Sequence, residues 1–295
     1  PQQSLMRLRR LHERVAFELD AALAAEGLTV CERGVLPAEP PLDLPLLPDP
    51  RTSCLGAFLS ASGADGGRLL KETAHLTVTL DYADERDFSR KLAAACRLTP
   101  LLMLYAEHTP SGGGHLLCAA LCAQSVPELF GFPDCAFEGA SFADYAAWVC
   151  RMPPVLLPDG EGFAYTGSVP ASALFRRRPA TDADAAFLLD AVYPWVRAAG
   201  GLQLRMADSM PLPQAISFAA LCRGLLCDAR NLARVEDAFG ALGQRETEDI
   251  LRRMRTDGEN VPVAGRPAAE WLVILRLWAR EALEPLERGM VMSPY

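Results

Sequence analysis

At 295 residues, half of them hydrophobic and 22% charged, the chain can bury a sizeable core, which excludes a disordered protein. A net charge of -8, with Lys and Arg scattered along the chain, gives no basic footprint for nucleic acid, and no apolar run reaches the roughly 18 residues that a membrane span needs. Nine cysteines without tight, even spacings read as reduced thiols, which places the protein in the cytoplasm with no disulfide framework.

In chain order, Leu5, Leu8, Leu11, Val15, Leu19 and Ala22 recur at helical spacing, which predicts an amphipathic helix over 5–26 packed on something larger. Arg7, Arg9, Arg10 and Glu13 interrupt this stretch, so it does not read as a signal peptide. The proline-dense stretch 34–50 predicts an extended connection, since proline disfavours helix interiors and central strands. Residues 73–82 alternate and are rich in β-branched types, predicting a strand with Leu76, Val78 and Leu80 on one face and Thr73, His75, Thr77 and Thr79 on the other. A helix follows over 84–105, bent or ended near Pro100. The run Gly112–Gly114 is a loop before an apolar segment at 116–121.

Further along, 141–150 reads as helix, 163–166 as extended, and 182–193 as helix with Thr181 as N-cap. Leu202-Gln203-Leu204-Arg205-Met206 alternates as a second strand, with Gln203 and Arg205 on one face. From about Pro213 to Leu286 the chain is helical, with breaks at 228–231, 240–243 and 257–267. No internal repeat or linker divides it. The reading is one α+β domain over 1–295, a sheet covered by helices on one face.

Two segments, KETAHLTVTLDYADERDFSRKLAAACRLTPLLMLYAEHTP (71–110) and VRAAGGLQLRMADSMPLPQAISFAALCRGLLCDARNL (196–232), resemble bacterial and plant-type glutamate–cysteine ligases in order and spacing, and 141–167 resembles their middle portion. The resemblance covers roughly 34–290. It implies a glutamine-synthetase-like antiparallel sheet whose concave face takes ATP, Mg²⁺ and glutamate. The implied reaction phosphorylates the glutamate γ-carboxylate, which the cysteine amine then attacks. Mg²⁺ prefers oxygen ligands, so such a site needs carboxylates, and it needs arginines for the phosphoryl group.

By the resemblance, Arg205 takes the phosphoryl-contacting position and Asp208 the acidic position after it; the alternative is that Arg205 simply pairs with Asp208. Gln203 stands where the family has a metal-binding Glu, which removes a charge from the site. Thr73 matches the start of the family's first strand, and Thr77 replaces a substrate-facing Gln. His75 reads as a strand-face histidine rather than a base. His108 stands in the family's Asn-Ser-Pro position, Arg51 matches an anchor after the proline-rich run or is a plain loop arginine, and Cys118, Cys122 and Leu129 replace an Arg, a Trp and an Arg.

The family's amino-terminal, glutamate-rich strands lie outside the chain, which opens at Pro1. If Pro1 marks a truncation those glutamates lie upstream; if it is the native start the site is incomplete.

Rival motifs are weaker. His108, His115, Cys118, Cys122 and Cys135 lack the knuckle spacing of a zinc site, so no zinc is expected. Gly112–Gly114 lacks the Lys-Ser/Thr of a phosphate loop, and Arg176–Arg178 reads as solvated loop. Two classes of function remain open: an ATP-dependent ligase using glutamate and cysteine, or a non-catalytic descendant that binds a small molecule or a protein.

Overall fold

The computed structural model of the chain describes residues 4–36, 45–62, 66–108, 115–125, 129–160, 162–176 and 179–292. In chain order these form α1 (Leu5–Ala25), α2 (Pro50–Ser62), α3 (Gly66–Glu72), β1 (His75–Leu80), α4 (Glu85–Tyr105), α5 (Leu117–Ser125), α6 (Phe142–Arg151), β2 (Val155–Asp159), β3 (Gly162–Gly167), α7 (Ala171–Leu174), α8 (Asp182–Asp190), β4 (Val196–Ala198), β5 (Leu202–Asp208), α9 (Leu212–Leu226), α10 (Ala229–Phe239), α11 (Gln244–Asp257), β6 (Pro262–Val263), β7 (Arg266–Pro267) and α12 (Ala268–Ala282). The class is α+β, as expected. No helix among the described residues is long and apolar enough to cross a membrane.

The two alternating segments become neighbours. A three-stranded antiparallel sheet runs β1-β5-β4, pairing Thr79 with Gln203, Val78 with Leu204 and Leu76 with Ala207. Between the last two pairs β5 carries one extra residue, so Arg205 and Met206 both oppose Thr77; a bulge of this kind re-aims side chains locally. Leu80, Leu202 and Leu204 belong to the main core cluster together with Phe88, Leu92 and Leu101 of α4 and Phe218 and Leu225 of α9. Burying each such Leu or Phe side chain contributes about 1.5–3 kcal/mol.

Local signals explain most boundaries. The Asp84 carboxylate accepts from the Asp87 amide at the start of α4, and Thr181 caps α8 with a reciprocal bond from Asp184, satisfying amides that the first helical turn leaves open. Breaks at 227–228 and 240–243 separate α9, α10 and α11; the first is narrower than the expected 228–231, because the Asp228 carboxylate accepts the Asn231 amide and caps α10 there.

Several expectations are corrected. The strand expected from residue 73 starts at His75, because the Thr73 hydroxyl donates to Leu69 O at 2.6 Å and closes the end of α3 instead. Pro100 does not end α4, which runs through it. Pro50 opens α2, a place where the missing N–H costs nothing; residues 37–44 of the proline-dense stretch lie outside the described residues, as do Gly112–Gly114. Helix α1 buries only Leu5, while Leu11, Val15 and Leu19 stay exposed. The face expected to be covered by helices after Pro213 is shared between α4 and α9.

All nine cysteines are unpaired. Cys31 and Cys150 are exposed, Cys54 and Cys135 half-buried, and Cys96, Cys118, Cys122 and Cys222 buried; Cys227 is exposed as a residue, yet packing around its sulfur raises its pKa. Since the thiolate is the reactive form, a disulfide-reactive dye should label Cys31 and Cys150 fastest and Cys227 more slowly. Denaturation without reductant should bring the count to nine, and a stable lower count would contradict the unpaired assignment.

Candidate functional site

Strand alternation places His75, Thr77 and Thr79 of β1 on the sheet face away from Leu80, Leu202 and Leu204, with Gln203 and Arg205 of β5 beside them. Arg197 of β4 pairs with Gln203 in register, so it joins the same face. Thr77 and Thr79 are exposed and Arg205 is half-buried. The expected grouping of Thr77, Gln203 and Arg205 is thus present.

The two arginines differ in kind. Arg197, 8% exposed, is fully engaged: Nε donates to Gln203 Oε1 at 2.9 Å, Nη1 to the carbonyls of Asp190 and Val192, and Nη2 pairs with the Asp190 carboxylate at 3.1 Å. Gln203 Nε2 in turn donates to Ala199 O, so both ends of the amide are committed. Arg205 is held only through its backbone, which donates to Trp195 O. Its guanidinium makes no hydrogen bond or ion pair among the described residues, and the alternative pairing with Asp208 is not formed.

Burial, then repulsion from Arg197, push the Arg205 guanidinium down to about 10, so it remains charged at neutral pH; Tyr193 and Asp190 act in the opposite sense. A half-buried cation without a partner is costly unless an anion completes it.

Asp208 is buried and accepts the His108 amide through Oδ2 at 2.9 Å. The His108 carbonyl accepts from Gly34 N, Gly34 O accepts from Ala74 N, and Ala74 O accepts from Ser209 N. Asp208 and His108 therefore tie chain segments together at one end of the sheet. Thr73 is turned toward α3. Arg51 sits over the Phe187 ring, 5.8 Å from its centroid, with no polar contact to Arg205.

His75 Nε2 lies 3.1 Å from Cys118 Sγ. An imidazolium–thiolate pair would raise His75, but Cys118 is itself held well above the ordinary thiol range, first by the Cys122 contact and then by burial. The thiol therefore stays protonated at neutral pH, while His75 is raised from its ordinary value: burial lowers it, but the Cys118 contact and the nearby Asp208 outweigh that. Cys118, Cys122 and Leu129, at the positions where the resemblance implies Arg, Trp and Arg, are all buried. His115 pairs with Glu107 through Nδ1 at 2.8 Å, away from Cys118.

Beside α5 a cavity of about 500 Å³ is lined by Ala119, Ala123, Phe130, Trp195, Arg252 and Arg255 among others; none of the candidate site residues named from the sequence lines it.

Among the described residues no group of three or more His, Cys, Asp or Glu side chains is placed to hold a metal ion. At Gln203, where the resemblance implies a metal-binding Glu, the amide oxygen already accepts from a guanidinium. The residues present here do not fit Mg²⁺, which requires several oxygen ligands and few nearby cations.

Sequence reasoning missed Arg197. The signal was present: Val196-Arg197-Ala198, then Gly200-Gly201, then an alternating run is the pattern of two strands joined by a glycine turn.

No family model matches the chain. Among curated proteins it is similar to the glutamate–cysteine ligase EgtA of Mycobacterium tuberculosis, 27% identical over 209 residues, covering 65% of this chain and 48% of that protein. EgtA of Mycolicibacterium smegmatis is 27% identical over 221 residues, with 65% of this chain and 52% of that protein covered. The chloroplastic glutamate–cysteine ligase of Medicago truncatula is 21% identical over 287 residues, covering 93% of this chain and 55% of that protein. The chain spans about half the length of the curated relatives it matches.

Proposed function

We propose that this chain serves glutamate–cysteine-ligase-type chemistry, and that its part is to hold an acidic substrate on the sheet face around Arg205. The observation that carries the reading is Arg205 itself, a half-buried guanidinium with no partner among the described residues, next to exposed Thr77 on the open side of the sheet. The similarity to ligases named for glutamate and cysteine supplies the substrate class. A carboxylate or acyl phosphate docked there would gain charge-assisted hydrogen bonds from a planar donor, with Thr77 offering a hydroxyl. ATP belongs to this proposal as the co-substrate that activates the carboxylate. No step is assigned to Mg²⁺ at Gln203.

A second reading, binding without turnover, is favoured by one observation: the Gln203 amide is consumed by Arg197 and Ala199, and Cys118 and Leu129 are core side chains. A site that works by electrostatic stabilisation loses about 3 kcal/mol for each contact removed. Calorimetry should therefore show L-glutamate binding that falls by about 100-fold in Arg205→Met, the scale of one charge-assisted contact in a partly desolvated site. On the second reading, the chain with ATP, Mg²⁺, glutamate and cysteine should form no detectable γ-glutamylcysteine, and Gln203→Glu should not rescue it. Glutamate affinity indifferent to Arg205→Met would overturn the acidic-substrate face. Cysteine-dependent ADP release at about 1 per second or faster would overturn the second reading and establish this chain as a working ligase.

A further inference from the structure

We propose that the Arg205 face binds its oxyanion without a divalent metal, with the buried Arg197 guanidinium standing as the fixed second positive charge. The proposal rests on reading this face as the substrate face and specifies how that face is electrically built.

The fixed charges near the Arg205 guanidinium are Arg197 and the Asp190 carboxylate. Asp190 is paired to Arg197, so the three groups carry one net positive charge shared over two guanidiniums, of which Arg205 has no partner among the described residues. An oxyanion such as a carboxylate or phosphate balances that charge directly. A divalent cation would add two positive charges between two guanidiniums and face a donor set with one neutral amide oxygen that is already bonded. Repulsion of the added charge by both guanidiniums opposes such an ion, and a single amide oxygen that is already bonded offers it little in return.

Arg197 is suited to the fixed role because every bond it makes is internal: Gln203 Oε1, two backbone carbonyls and a carboxylate hold it in one orientation. Preorganised charge of this kind stabilises an incoming anion without reorganising at the moment of binding. Gln203 then acquires a structural reason for being neutral: a carboxylate at 203 would put a second negative charge beside Arg197 and project negative potential onto the face where the anion must sit.

The test is calorimetric titration of the chain with L-glutamate and with inorganic phosphate, once in EDTA and once in excess Mg²⁺, for the parental protein and for Gln203→Glu. The variant keeps an oxygen to accept the Arg197 bond, so it should fold, and circular dichroism checks this. The expected result is binding of equal strength, within about two-fold, with and without Mg²⁺, and a loss of about ten-fold or more in Gln203→Glu under both conditions, the equivalent of one added like charge at partial screening.

Binding that appears only with Mg²⁺, or that Gln203→Glu strengthens in Mg²⁺, would overturn the metal-independent site while leaving the acidic-substrate face intact. Absence of binding of either anion under both conditions would overturn both.

Discussion

Replacing Gly224 by valine is expected to destabilise the protein by more than about 3 kcal/mol, and replacing it by alanine by about 2 kcal/mol, the range found when atoms are forced into a packed interior. Gly224 lies in α9 where it crosses α12. A Cβ added there would come within 2.7 Å of Ala279 Cα and Ala279 O and within 2.8 Å of Ala279 Cβ. These are backbone or backbone-linked atoms in a fully buried residue, so no side-chain rotation relieves the contact and the helices must part.

Parting them breaks a second element of the crossing. The buried Asn231 amide donates to Gly224 O at 2.9 Å and to Trp278 O at 2.6 Å, stitching the two helices through a polar bridge that cannot be left unsatisfied without cost. Helix propensity works the other way, since glycine inside a helix is disfavoured relative to alanine by about 0.5–1 kcal/mol. The urea midpoint of Gly224→Ala therefore decides between the two effects: a lower midpoint is expected, and an unchanged or higher one would show that the crossing tolerates a methyl group.

Asp208→Leu is expected to cost about 2–3 kcal/mol, the scale of a hydrogen bond to a buried charged group and the donor it leaves behind. The carboxylate accepts the His108 amide and is packed so closely over Gly34 that a Cβ at position 34 would overlap it. Asp208→Asn keeps an acceptor oxygen and should lose less, whereas Gly34→Ala should reproduce much of the leucine effect from the other side of the contact. Amide hydrogen exchange at Gly34 and His108 reports the tie directly. Exchange there that is no faster in Asp208→Leu than in the parent would sink the assignment.

Much of the sheet was legible because its two longer strands carry a period-2 pattern that nothing else in the sequence competes with: β1 and β5 announce themselves through His75–Leu80 and Leu202–Met206. The helical region after Pro213 was legible from its breaks, and Thr181 from its capping chemistry. Helix α2 was hidden behind prolines, one of which in fact begins it, and α3 is too short for a periodic signal. The placing of Thr73 was lost to a local event, its hydroxyl reaching back four residues to Leu69 O.

At the candidate site the residue types on the face were readable, but their state was not. That Gln203 is consumed by Arg197 and that Arg205 is left without a partner depend on the register of β4 against β5 and on the loop carrying Asp190 and Val192, which no alternation pattern encodes. Likewise the raised pKa of the Cys118 thiol follows from Cys122 and from burial, both properties of packing around α5.

The tie at Asp208 also bears on the order in which the chain can fold. Its contact with the His108 amide joins residues 100 positions apart, and the Gly34–His108 and Ala74–Ser209 bonds close further long loops at the same spot. Closing such loops costs chain entropy, and the cost is lowest once α4 and the β1–β5 pair have already brought the ends together, so these bonds are expected to form late. Interactions absent from the transition state govern how fast the native state opens more than how fast it is reached. The knot of Gly34, Ala74, His108 and Asp208 thus acts as a latch, contributing to the lifetime of the folded sheet and little to its speed of formation.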